Sequence, residues 1–141
     1  MAQTGSASID INASPSVILE VVADIESYTT RMSAFQVAEV LERDDEGRPV
    51  KARFEVDARI KVMEYTLVYE YSDDGVKWHS VEGNVKEIIG SYKMVPQGDV
   101  TKVTYDYSID PGFSVPGFLL KQGVKMMTST ALDDLKRTAE S

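Results

Sequence analysis

The chain has 141 residues, with 15 Lys+Arg against 23 Asp+Glu for a formal charge of -8, and no cysteine. That length suits one domain able to bury about two-thirds of its unfolded surface. The charge opposes a phosphate backbone or an anionic membrane as a partner unless a local basic patch overrides the net field, and the missing cysteine removes disulfides, thiolate metal sites and Cys nucleophiles together.

Met1 to Ser8 lacks the basic and apolar regions of an export signal, and no stretch approaches the length of a membrane span. A cytoplasmic protein without stable membrane insertion is the expectation, with residues 1–6 as a flexible lead. Ala7 to Ala13 alternates Ile9 and Ile11 against Ser8, Asp10 and Asn12 and predicts a first strand. Ser14-Pro15 then supplies a capping hydroxyl and a proline at the first helical position. Ile18, Val21, Val22 and Ile25 share one face of the helix that follows, and a second short helix is expected around Ser27 to Met32.

From Phe35 to Ile109 the chain reads as a meander of long strands, with turns at Asp44-Asp-Glu-Gly47, Asp73-Asp-Gly75 and Gln97-Gly-Asp99. Lys51 to Lys61 alternates without exception, charged at each odd position and apolar at each even one, so Ala52, Phe54, Val56, Ala58 and Ile60 are expected to line an interior. The next strand aligns Met63, Tyr65, Leu67, Tyr69 and Tyr71, the one after it Val76, Trp78, Ser80 and Glu82, and the last Val103, Tyr105, Tyr107 and Ile109. Gly90 interrupts the alternation of Asn84 to Val95 and marks a bulge or a close approach. Two Pro-Gly pairs follow Asp110, and a helix is expected from about Phe118 to Arg137 with an apolar row of Leu120, Val124, Met127, Ala131 and Leu135. That row needs a partner surface, and the concave sheet is the large one available.

This order of elements resembles the helix-grip fold of the START-like superfamily, in particular its polyketide cyclase/dehydrase and Coq10-type bacterial branch. Ile11-Asn-Ala-Ser-Pro15 with Val22-Ala-Asp24 and Tyr28 is similar to that branch's first strand and helix. Gly90-Ser-Tyr92 with Thr101-Lys-Val-Thr-Tyr105 is similar to its final hairpin, and Pro111-Gly112 and Val115-Pro-Gly117 to its run into the last helix. Members often carry a Pro and a Trp just after the Tyr28 position, where this chain reads Thr29-Thr-Arg-Met32. The resemblance implies an α+β domain over residues 1–141, in which a curved antiparallel sheet of about seven strands wraps a long C-terminal helix, with two short helices after the first strand. It further implies a deep apolar pocket between sheet and helix.

The expected pocket walls are Phe54, Val56, Tyr65, Leu67, Tyr69, Trp78, Ser80, Tyr105, Tyr107, Phe118, Val124 and Met127, with Tyr28 and Arg31 at the rim. Each aromatic taken alone is as readily a packed core residue. Five strand tyrosines together carry more hydroxyls than a dry core accepts, since a buried hydroxyl needs a partner. Glu82 continues the Trp78 and Ser80 face and is the candidate acid or base, with Tyr105 or Tyr107 as donor, against the alternative that it reaches solvent at the strand end. His79, the one histidine, alternates to the other face and has no nucleophile motif near it. The acidic clusters at residues 44–46 and 73–74 are turn residues, Asp133-Asp134 fits a solvated helix face, and neither a metal nor a cofactor is expected.

Three functions follow. The first is a carrier or sensor of a small hydrophobic ligand, a lipid, quinone or polyketide-like molecule, with no nucleic acid partner and a homodimer as an option. The second is a polyketide cyclase, aromatase or dehydratase. The third is a Coq10-like interaction protein. The first needs only the pocket and is preferred.

Overall fold

The computed structural model describes residues 2–59 and 61–141. Its strands are β1 (Gln3–Ile11), β2 (Phe35–Arg43), β3 (Pro49–Asp57), β4 (Val62–Ser72), β5 (Gly75–Gly83), β6 (Glu87–Gln97) and β7 (Val100–Asp110). Between β1 and β2 lie helix α1 (Pro15–Ala23), a turn of 3-10 helix and the short α2 (Tyr28–Arg31), and the chain ends in α3 (Gly117–Glu140). The strands form one antiparallel sheet in the order β1-β7-β6-β5-β4-β3-β2. Everything from β2 to β7 is therefore a meander, and β1 closes the far edge by pairing with the last strand.

Two strand boundaries differ from those expected. Gln3 lies opposite Ile109 and Ser6 opposite Asp106, so residues 3–6 of the expected flexible lead belong to an edge strand that ends at Ile11, not Ala13. Their small side chains gave no apolar alternation to read. On the other side of the sheet, β3 stops at Asp57. The Asp57 carboxylate accepts the Arg59 N–H at 2.8 Å, Arg59 turns to φ 70°, and the Ala58 N–H donates to the Lys61 carbonyl at 3.1 Å. This local capture of the backbone by an aspartate makes a turn, and charge alternation through Arg59 and Lys61 does not reveal it. Ile60, expected inside, lies outside the described residues.

Within β3 the two faces separate as the alternation requires. Ala52, Phe54 and Val56 are buried, while Arg53 on the outer face pairs with Glu55 and, at 3.5 Å, with Glu64. The Ser14 hydroxyl caps α1 by accepting the Val17 N–H at 3.4 Å, with Pro15 next in line. Ile18 and Val22 of that helix are buried, with Ile25 just beyond it.

Helix α3 is held unevenly. Its C-terminal half packs against β1 and α1, burying Leu132, Leu135 and Ala139. There Lys136 Nζ donates to the Asp10 carbonyl at 2.8 Å, and Glu140 accepts the Asn12 N–H at 2.8 Å. From Gly117 to Met126, by contrast, Val124 is the buried residue and Leu120 the half-buried one.

Candidate functional site

A cavity of about 380 Å³ lies between the concave sheet face, the α1–α2 segment and α3. Among the expected wall residues, Phe54, Val56, Tyr65, Leu67, Tyr69, Trp78, Tyr105, Val124 and Met127 border it, as do Tyr28 and Arg31. Ser80, Tyr107 and Phe118 do not. The Ser80 hydroxyl is taken up by the Ile88 N–H at 2.8 Å. Tyr107 reaches across to the sheet edge, where a Cβ on Gly5 would fall 2.5 Å from its hydroxyl. Phe118 is 72% exposed, because it sits on the outer side of α3.

Glu82 is exposed, which corrects the expectation of an inward carboxylate. Ser80 lies opposite Leu67 but Glu82 lies opposite Thr66, so Val81 is an extra residue in β5. This bulge moves Glu82 to the outer face. Tyr65, on the inner face, then has Gly83 opposite it.

The sheet floor is aromatic. Tyr69, Trp78, Tyr92 and Tyr105 form a continuous group with ring centroids 5.2 to 6.1 Å apart, and Tyr28, Phe35, Phe54 and Tyr65 form a second with centroids 5.5 to 6.2 Å apart. Gly90 makes the first group possible. It stays in regular register opposite Trp78 and Tyr107, and a Cβ there would lie 2.5 Å from the indole ring. The glycine therefore marks a close approach.

The tyrosine hydroxyls divide into two sets. Tyr28 donates to the Val22 carbonyl, and Tyr71, outside the cavity, donates to the Pro49 carbonyl at 2.6 Å. Among the described residues the hydroxyls of Tyr65, Tyr69, Tyr92 and Tyr105 find no protein partner, and none of them is sealed from the cavity. Burial pushes the ionisation of Tyr28, Tyr65, Tyr69 and Tyr92 well above the ordinary tyrosine range, and that of Tyr105 up to about 12. At Tyr28 burial outweighs the opposing pull of the Arg31 guanidinium, whose carbon stands 5.2 Å from the ring centre. These phenols are neutral donors near neutral pH.

Arg31 was expected at the rim, but its carboxylate partner in the wall was not. Asp134 is 3% exposed and faces the cavity, which corrects its assignment to a solvated face. Its Oδ2 is 3.3 Å from Arg31 Nε, and its Oδ1 accepts from Arg137 at 2.8 Å. Arg31 Nε is buried without an aligned hydrogen bond, although the aspartate is beside it. The signal for Asp134 was present in the spacing, since it stands three residues after Ala131 and one before Leu135 on the inward row. Tyr92 was likewise readable two residues after Gly90. Among the described residues no cluster of His, Cys, Asp and Glu has the makings of a metal site.

A family model described as polyketide cyclase / dehydrase and lipid transport matches residues 11–136. No curated protein matches in sequence. In fold the chain is similar to a START superfamily protein from Mycobacterium smegmatis, with TM-score 0.85, 21% identity and 97% of each chain covered. It is also similar to the ZhuI aromatase/cyclase from Streptomyces sp. R1128, with TM-score 0.82, 15% identity, and 99% of this chain and 94% of that one covered. A STAR-related lipid transfer protein from Xanthomonas axonopodis superposes with TM-score 0.76 and 19% identity, covering 96% of this chain and 85% of that one. The architecture is the helix-grip fold.

Proposed function

The chain belongs to the polyketide cyclase / dehydrase and lipid transport family, and from that premise we propose that it binds a compact hydrophobic molecule carrying oxygen acceptors, as a carrier or sensor. The observation behind this reading is the set of four tyrosine hydroxyls, at residues 65, 69, 92 and 105, that border an apolar cavity and donate to no protein group. Phenol donors on an apolar cavity wall can bond a ligand carbonyl, quinone oxygen or phenol, which fixes its orientation. About 380 Å³ is near the lower end of ligand-site volumes, which favours a polycyclic or single-chain molecule over a two-chain lipid.

A second reading is an aromatase or cyclase, the activity for which the Streptomyces ZhuI neighbour is named. Asp134 favours it, as a carboxylate within the wall that could act as a base. Against it, both carboxylate oxygens of Asp134 are already engaged by guanidinium groups, and Glu82, the other candidate, faces outward. Organic extraction of the purified protein followed by mass spectrometry tests the preferred reading. A stoichiometric oxygen-bearing apolar molecule is expected. Repeated recovery of none, together with turnover of a poly-β-ketone that Asp134→Asn abolishes, would replace the carrier by the enzyme.

A further inference from the structure

We propose that the rim of this cavity docks on an anionic lipid bilayer, from which the hydrophobic ligand enters. The inference rests on the carrier reading for its purpose, but on separate residues for its evidence. Although the chain carries a net charge of -8, residues 111–132 contain Lys121 and Lys125 and no acid. This segment supplies one side of the rim and the exposed half of α3. Opposite it, the β3–β4 turn presents Arg59 and Lys61, both exposed. Lys61 Nζ lies 4.7 Å above the Phe113 ring centre, which ties that turn to the run into α3.

Of the acids beside this rim, Asp134 pairs with Arg31 and Arg137 and Asp110 lies 3.8 Å from Lys86, while Asp57 keeps its charge next to Arg59, whose N–H it accepts.

Between the cations the surface is apolar. Phe118 is 72% exposed, Met126 51% and Leu119 38%, and the last two also border the cavity. An exposed phenylalanine and methionine beside lysines, on the outward side of a helix half whose inward Val124 is buried, is the pattern of interfacial binding. Apolar side chains enter the acyl boundary while the cations meet anionic headgroups. A patch of this kind is local, so the overall negative charge keeps the rest of the molecule away from the surface and orients the mouth toward it. No helix among the described residues is long and apolar enough to cross a membrane.

Cosedimentation with phosphatidylcholine vesicles, with and without phosphatidylglycerol, tests this. The wild-type chain should bind the anionic vesicles, release with salt, and bind neutral vesicles weakly. Phe118→Ser should weaken binding about tenfold. Lys121→Gln and Lys125→Gln should each weaken it about fivefold, and only on anionic vesicles. All three side chains are exposed, so unchanged melting temperatures are the control. Equal binding to neutral vesicles, indifference to these substitutions, or capture by an acidic protein with no vesicle binding overturns the proposal. Vesicle binding by a chain that yields no extractable ligand removes the carrier and leaves the docking. A bound ligand without vesicle binding does the reverse.

Discussion

Arg31 and Asp134 meet across 3.3 Å within the cavity wall, one at the end of α2 and the other in the last third of α3. A buried pair is costly to break from one side because the survivor keeps its charge without its partner. Asp134→Ala should therefore lower unfolding free energy by about 3 kcal/mol, and adding Arg31→Met should recover much of it. Urea melts of the two single variants and the double variant measure this, and additive losses would show that the two groups do not stabilise one another.

The two sets of tyrosines respond differently to loss of a hydroxyl. Tyr28→Phe removes a bond to the Val22 carbonyl and should cost about 1 kcal/mol of stability. Tyr69→Phe removes a donor with no protein partner, so stability should hold or rise slightly. Under the carrier reading, affinity for a ligand recovered by extraction should then fall about fivefold to tenfold. Thermal melts and ligand titration followed by Trp78 fluorescence separate the two effects. A Tyr69→Phe protein that binds as well as wild type would remove this hydroxyl from recognition.

Alkaline pH should unfold the protein through the same phenols. In the folded state the cavity tyrosines ionise above the ordinary value of about 10, so their contribution to stability is fully present below pH 10 and is lost as pH rises above it. Absorbance at a tyrosinate wavelength and circular dichroism should change together above that pH. Tyr105, held at about 12, marks the window in which the fold gives way. Tyrosinate absorbance that rose fully near pH 10 with the ellipticity unchanged would mean that these rings are accessible to water.

Gly90→Ala should be more harmful than its size suggests. The new methyl would sit 2.5 Å from the Trp78 indole, in a register pinned by strands on both sides. Overpacking of this kind costs about 1–3 kcal/mol. The indole must also shift toward Tyr92 and Tyr105, which fluorescence reports. An unchanged emission spectrum and melting point would show that the ring has room to move.

The sheet and the long helix were legible because period-2 and helical alternation are enforced by burial over many residues, as at Lys51 to Asp57 and Leu120 to Leu135. What escaped depended on single residues that change the count. One extra residue, Val81, moves Glu82 to the outer face while leaving Trp78 inside. One aspartate, Asp57, bends the chain where alternation still continues in the letters. Asp134 was misplaced for another reason: a charge on an inward helical row looks solvated until its guanidinium partner is known. That partner comes from a segment a hundred residues earlier, so local pattern carries no trace of the pairing.

Because α3 is fastened at its C-terminal half by Asn12, Asp10 and Arg31 while from Gly117 to Met126 Val124 is its one buried residue, its amide hydrogens should not exchange as one unit. Deuterium uptake should run as a gradient, fast around Leu119 and approaching the global rate near Leu135. The cover of the cavity is thus a clasp with one fixed end. Under the carrier reading, local fraying of those ten residues would widen the mouth while the sheet stays intact, so ligand exchange should follow the opening of that half-helix and not of the whole fold.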